Sequence, residues 1–533
     1  MWICLTLAAW LFGALAPHPC PAGDPDPAAT FQEWFRSYKQ RRIVLLPPLT
    51  PGGPRASFLP TAEQRAMEET FLGLESLDNL ASARLLMEAA TFSFSPPDQE
   101  LERDALQQPW LVRQRASLAL GRLHSQEARE WIRAQLLAER NGSSGPQRRV
   151  AAAMAIGHHG DPAGVFYLSH ALRDNSAEVR VSAAMGLGQI RSPAALPALT
   201  QALGDEVGAV RVACLGALAE VLEAAAPAVG GDRLEETLGA AARLLEDDSW
   251  PVRLEAVGLL RRFRLSSHIP RLIEALAHEQ PGARDDYRGR VRSAIQEALR
   301  SLTGAYRPED QPNEWRRWWA DAASTFQLPP PPDAAAAQTR YGTFFNLAVN
   351  STRVLFVIDV SGSMLEPLGQ GVTGVPSKTK WQSAFDELER TLGQLDADTC
   401  FGVICFADRV VSGASKLRPA TEEAKRAALA LLRGHPPRGG TNLFGALALG
   451  LGLSSVGSTP VTGSAQVDTV FVLSDGLPTV GSIVAPDAIL AAIGRANSVL
   501  RVRINAVSFG TESSYLLQEL ARRNGGDHVH VVR

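Results

Sequence analysis

Five side chains in the last third of the sequence carry oxygen atoms suited to one kind of chemistry. Asp359, Ser361 and Ser363 alternate in the turn Asp359-Val360-Ser361-Gly362-Ser363, directly after the apolar run VLFVI. Alternate side chains of such a turn can converge on one point while glycine lets the backbone bend. Thr441 follows the flexible pair Gly439-Gly440 at the entrance to a helical stretch, and Asp475 ends the run TVFVLSD. Two carboxylates and three hydroxyls thus arrive from three loops. An oxygen-only set suits a hard divalent cation, Mg2+ or in its place Mn2+ or Ca2+, which keeps some water where the protein supplies too few ligands. Without nitrogen or sulfur ligands, zinc is disfavoured.

The elements that must position these residues are strands alternating with helices. VLFVI at Val354, FGVICFA at Phe401, TVFVLS at Thr469 and RINAVSF at Arg503 are near-continuous apolar runs, as strands buried on both faces are. Helical patterns fall at Lys380 to Leu395, Glu422 to Arg433, Leu443 to Leu453, Asp487 to Leu500 and Ser514 to Arg523, and HVHVV reads as a closing edge strand. TFFNLAV, before the first long strand, is a candidate antiparallel edge. This order predicts a doubly wound, Rossmann-like α/β domain with a mainly parallel central sheet, whose ligands bind at the carboxyl ends of the strands. Cys400 and Cys405 fall at opposite parity on one strand, so they face opposite sides and cannot pair.

The pattern D-x-S-x-S, then Thr, then Asp at matching strand ends resembles the von Willebrand factor type A family, over residues 341–533. That resemblance implies a metal-ion-dependent adhesion site in which Ser361, Ser363 and Thr441 bind the ion directly, and Asp359 and Asp475 directly or through water. Neutral hydroxyls leave such an ion electron-poor, so the implied partner is a protein offering an Asp or Glu carboxylate. The insert LEPLGQGVTGVPSKT after Ser363 either rims the site or is a plain loop.

Upstream lies an internal repeat. VRVSAAMGLG at Val179 aligns with RRVAAAMAIG before it and VRVACLGALA after it, and Arg149, Arg180 and Arg211 recur every 31 residues. Arg113, Arg253 and Arg292 continue the frame with longer turns. A fixed period of alanine-rich helices needs stacked neighbours to bury its faces, which predicts an α-helical solenoid. It resembles the HEAT family. Asp174, Asp205, Asp247 and Asp286 each precede a repeat arginine by six residues. The arginine row is either a binding stripe or, the favoured reading, an internal ladder in which each Asp caps a helix and pairs with an arginine. Trp315, Trp318 and Trp319 share one helical face and are expected to cap the last repeat, closing a solenoid over 110–327. The proline run that follows marks a semi-rigid linker, residues 328–340.

Residues 1–22 begin with the apolar run MWICLTLAAWLFGALA, which reads as an export signal, too short for a stable membrane span. Residues 23–109 are a helical and irregular segment, with helices at Phe31 to Arg42 and Thr61 to Ala90; Leu72, Leu74, Leu77, Leu80, Leu85 and Leu86 are expected to pack there. The chain has 533 residues, a net charge of -3 and 20% charged residues, which is no footprint for nucleic acid.

Rival chemistry is thinner. His528 and His530 share one face of the edge strand, as a two-histidine metal site or simply in solvent. His435 could approach the site from its loop, but no nucleophile and orienting acid accompany it. There is no G-x-S-x-G elbow and no phosphate loop. The expectation is an exported, non-enzymatic adaptor with two interaction modules on one tether. A metal-assisted hydrolase, or a scaffold with a vestigial metal site, are the alternatives.

Overall fold

The computed structural model describes residues 26–40, 61–92, 107–137, 145–225, 230–280, 289–304, 311–330, 343–349, 351–368, 378–397, 399–413, 417–453, 467–481, 483–509 and 514–531. The leader, Asp286, most of the linker and the centre of the insert lie outside them.

Fifteen helices come first among the described residues: α1 Pro27–Gln40, α2 Thr61–Leu77, α3 Leu80–Thr91, α4 Gln107–Leu120, α5 Gln126–Leu137, α6 Gly145–His159, α7 Gly164–Ala171, α8 Ala177–Ile190, α9 Leu196–Gln201, α10 Gly208–Ala225, α11 Gly231–Arg243, α12 Trp250–Phe263, α13 Ile269–His278, α14 Gly289–Thr303 and α15 Pro312–Ala322. The long helical pattern after Thr61 is broken into α2 and α3 at Asp78, which takes φ 40°, and Asn79 caps the new helix. Leu72, on the outer face of α2, is 52% exposed, whereas Leu74 and Leu86 are fully buried. One continuous apolar core runs from Phe31 to Trp315, so α1 to α3 extend the same stack, and Trp318, Trp319 and Phe326 pack against its far end.

The ladder arginines point into that stack. Arg149 is bidentate to Asp174 at 2.8 and 3.0 Å, Arg180 to Asp205 at 2.7 and 2.9 Å, and Arg211 to Asp247 at 2.8 and 2.7 Å. Each aspartate also accepts the main-chain N–H two residues on, from Ser176, Val207 or Ser249. Each of Arg180, Arg211 and Arg253 donates back to the carbonyl of the Asp six residues before it. The row is therefore a turn-to-helix staple between neighbouring repeats; the aspartates close the turns before the helices and do not cap them, since the N-cap residues Ser176 and Ser249 carry no side-chain cap bond. Beyond Asp247, Arg253 pairs with Glu279 at 2.5 Å.

The second unit contains β3 Arg353–Asp359, α16 Lys380–Gln394, β4 Cys400–Phe406, β5 Val410–Ser412, β6 Arg418–Pro419, α17 Glu422–Arg433, α18 Leu443–Gly450, β7 Thr469–Ser474, α19 Pro486–Leu500, β8 Arg503–Phe509, α20 Ser514–Arg523 and β9 His528–Val531. Its sheet has the order β5-β4-β3-β7-β8-β9, with β6 also on β4. All pairs from β4 to β9 are parallel; β5 and β6 run antiparallel to β4. Side-chain alternation splits the strands between two cores. Leu355, Val357, Val470 and Val472 pack under α18, α19 and α20; Phe356, Ile358, Phe471 and Leu473 pack under α16 and α17. Cys405 is buried on the latter side and Cys400 has the opposite parity, both as free thiols.

TFFNLAV is not an edge of this sheet. It forms a separate hairpin, β1 Thr343–Phe344 with β2 Leu347–Ala348, turning through Phe345 and Asn346 at φ 49° and 63°. Two successive positive φ values give the twist that a two-residue hairpin needs, and Phe344 drops onto Phe356 and Phe471.

The two units are in direct contact rather than held apart on a spacer. Helix α19 lies on α10, and its Val499 is buried within the solenoid core. Arg495 reaches Met154, and Arg501, which ends α19 at φ 54°, pairs with Glu255 at 3.1 Å. Arg290 of α14 donates to the carbonyls of Asp468 and Arg501. This seam covers the amino-terminal ends of β3 and β7, opposite to the ends that carry the candidate site.

Candidate functional site

Each of the five oxygen-bearing residues stands at a strand end or in the loop beside it. Asp359 closes β3 and is completely buried; Ser361, Thr441 and Asp475 are 2%, 3% and 5% exposed. Residues 361–365 form a bend and a single 3-10 turn, with the Ser361 N–H bonded to Asp359 Oδ1 at 2.7 Å. The hydroxyls of Ser361 and Ser363 are 3.1 Å apart, and Ser363 donates to Asp475 Oδ1 at 2.7 Å. Thr441 joins through the main chain: Gly362 N–H donates to Gly439 O at 3.0 Å, and Arg438 N–H to Val360 O at 2.9 Å.

Neighbouring ligands of an octahedral ion bound at about 2.0–2.1 Å lie about 3 Å apart. The Ser361–Ser363 and Ser363–Asp475 spacings are compatible with that edge, so these three residues suit a small hard cation in donor chemistry, while Thr441 is tied to them only through the main chain. Among the described residues no three His, Cys, Asp or Glu side chains gather at metal-ligand spacing. The set is instead two acids plus hydroxyls. Burial pushes the Asp359 carboxyl up to about 7; Ser474 and Ser361 oppose the shift by hydrogen bonding and the nearby Asp475 adds to it.

Four supporting residues escaped the sequence reading. Ser474 donates to Asp359 Oδ2 at 2.5 Å. Asp408 accepts from Gly440 N–H at 2.7 Å and presses against Gly439, where a Cβ would stand 2.1 Å from its Oδ2. Thr479 holds Thr441 from both sides, its hydroxyl accepting Thr441 N–H at 2.9 Å and its N–H donating to Thr441 O at 3.1 Å. Lys380, the first residue of α16, places its ammonium 2.7 Å from Asp475 Oδ2 and 2.6 Å from Glu366 Oε2. No spacing rule links position 380 to 475. Ser474 was legible in principle, as the neighbour of a strand-end acid.

The remaining candidates lie elsewhere. His435 lies just beyond the end of α17, with its ring nitrogen on Leu431 O at 2.8 Å. His528 and His530 bracket the buried Ser508 hydroxyl, each at 2.9 Å. Among the described residues no helix is long and apolar enough to cross a membrane.

Comparison with known proteins agrees with this architecture. Residues 354–477 match the model of the von Willebrand factor type A domain, and residues 134–219 that of HEAT repeats. The chain is thus a helical region with HEAT repeats followed by a von Willebrand factor A-like α/β domain with a mainly parallel sheet. Inter-alpha-trypsin inhibitor heavy chain H1 of Mesocricetus auratus is 34% identical over 154 residues, 28% of this chain and 15% of that protein. Its Homo sapiens counterpart is 33% identical over 153 residues, 28% and 16% of the two chains. This chain therefore spans about 15% of the length of those relatives. A solved von Willebrand factor type A structure from Catenulispora acidiphila aligns at 20% identity with TM-score 0.26, covering 35% of this chain and 40% of its own.

Proposed function

We propose that the chain is an exported, non-enzymatic binding protein that captures a protein partner's Asp or Glu carboxylate through a divalent cation, Mg2+ or else Mn2+ or Ca2+. The residues that would hold the ion are Asp359, Ser361, Ser363, Thr441 and Asp475. The observation that carries this reading is the unbroken line of contacts from Asp359 through Ser361 and Ser363 to Asp475 at the carboxyl ends of β3 and β7. A bound divalent ion would supply net positive charge for the incoming carboxylate. Around it the chain's own groups set the geometry. Ser474 and the Ser361 N–H orient Asp359, Ser363 orients Asp475, and Thr479 and Asp408 hold the loop that carries Thr441.

The similarity to inter-alpha-trypsin inhibitor heavy chains over this unit supports an interaction role rather than a catalytic one. Export is proposed from the apolar leader. The HEAT repeats are proposed as a second interaction surface, restricted by α19 to the part of the stack that helix leaves uncovered. The test is calorimetric titration of the full chain with Mg2+, Mn2+ and Ca2+. Uptake is expected, lost in Asp359→Ala with unchanged circular dichroism, and partner capture is expected to cease in EDTA. A correctly folded chain that takes up none of the three ions refutes the reading.

A further inference from the structure

We propose that Lys380 is a built-in counter-cation of the candidate site: its ammonium neutralises Asp475 while no divalent ion is present and must withdraw when one is taken up. The inference rests on the cation-site reading and adds an exchange step to it.

Three observations carry it. First, Asp475 has both oxygens engaged, Oδ1 by Ser363 at 2.7 Å and Oδ2 by Lys380 at 2.7 Å, so an ion approaching Oδ2 meets a positive charge already there. Second, the pair is secluded: the Asp475 side chain is 0% exposed and that of Lys380 11%. Water and salt screen charges weakly in such a place, and a unit charge against a divalent ion at a few ångströms is strongly repulsive. Third, the ammonium has somewhere to go. Glu366 Oε2 lies 2.6 Å from the same nitrogen, and its side chain is 64% exposed, out of the site. The flexible lysine stem lets the head group swing between the two acids.

The backbone around Lys380 holds still for that swing. Thr379 caps α16 in a reciprocal bond with Gln382, Lys380 N–H donates to Glu366 O at 3.0 Å, and Pro367 bridges to Thr379. An ordinary structural ion pair and an exchangeable counter-cation predict opposite signs. Removing a structural lysine leaves cation affinity unchanged or lowered, whereas removing a competitor raises it.

The experiment titrates Mn2+ alone into the full chain, comparing wild type with Lys380→Met, Lys380→Arg and Glu366→Gln, and follows thermal unfolding of each. Lys380→Met, which keeps the stem and drops the charge, is expected to bind Mn2+ about tenfold tighter or more. Lys380→Arg, which keeps the charge, is expected to bind no tighter than wild type. Glu366→Gln, which removes the retreat and pins the ammonium on Asp475, is expected to bind several-fold more weakly. Uptake by Lys380→Met alone, with none by wild type, means the ammonium is never displaced and overturns the exchange. If wild type binds Mn2+ and Lys380→Met binds equally or more weakly, or if Lys380→Arg tightens as much as Lys380→Met, the inference is overturned. Should Lys380→Met fail to fold, Glu366→Gln decides: affinity equal to wild type overturns the exchange. No uptake by any folded variant sinks the cation-site reading itself.

Discussion

The arginine ladder makes a prediction whose size can be worked from the structure. Arg253 and Glu279 are both buried, with side chains 0% and 1% exposed and the ion pair at 2.5 Å. Arg253 also donates to the carbonyls of Asp247 and Asp248 at 2.8 and 3.1 Å. Replacing it with methionine preserves most of the apolar stem but strands a carboxylate and removes donors from two turn carbonyls. Breaking a buried pair on one side costs about 3–5 kcal/mol, because the surviving charge has no water to return to. Each orphaned carbonyl costs about 1–3 kcal/mol unless water reaches it, and these costs overlap rather than add. A loss of about 4 kcal/mol is therefore expected for Arg253→Met, read as a lower urea midpoint at unchanged slope. The double change Arg253→Met with Glu279→Leu removes both charges at once and is expected to recover much of that loss, since replacing a whole buried pair by apolar groups is often neutral. Arg253→Met within about 1 kcal/mol of wild type, or a double variant no better than the single one, would refute the claim that the row is an internal staple.

Other perturbations test other joints. Val499→Asp puts a carboxylate into the seam where Val499 is 4% exposed in the solenoid core, and scanning calorimetry is expected to show one cooperative transition separating into two; a single unshifted transition would mean the seam contributes nothing. Gly439→Ala meets Asp408 Oδ2 at 2.1 Å and needs φ +75°, so the loop carrying Thr441 must shift, and cation uptake should weaken at least tenfold while the sheet's circular dichroism is retained, a result the same titration in Gly440→Ala can bracket. Burial depresses His159 to about 4 from 6.5. Between those values the unfolded chain holds the extra proton, so the stability tied to a neutral His159 is present above pH about 6.5 and lost as pH falls towards 4. His159→Gln is expected to flatten that slope in denaturant titrations, and an unchanged slope would place the acid sensitivity elsewhere.

The sequence by itself determined whatever depends on local periodicity and motif spacing. The boundaries of α17 and α20, the parity of Cys400 and Cys405, the mainly parallel direction of the long strands and the strand-end stations of Asp359 and Asp475 follow from which face each residue must present. The repeat frame marked Arg149, Arg180 and Arg211 as equivalent, because stacked repeats reuse one geometry, whereas Arg253 keeps the place but takes Glu279 as its partner. It left their partners open, and only folding decided that Arg149 reaches forward to the next repeat's Asp174 while Arg180 bonds back to the same turn.

Tertiary structure alone decided the contacts between residues far apart in the chain. Lys380 meets Asp475 across 95 positions and Arg290 meets Asp468 across 178, and no local pattern encodes either. The docking of α19 on the repeats is of the same kind. Its apolar residues read as one helix face, but which surface that face would cover depends on shape complementarity between two separately formed units. A proline run implies a spacer and says nothing of whether the bodies it joins will touch. Periodicity constrains how a segment can fold; only packing selects what it folds against, because burial rewards any apolar surface that fits and carries no address in the sequence.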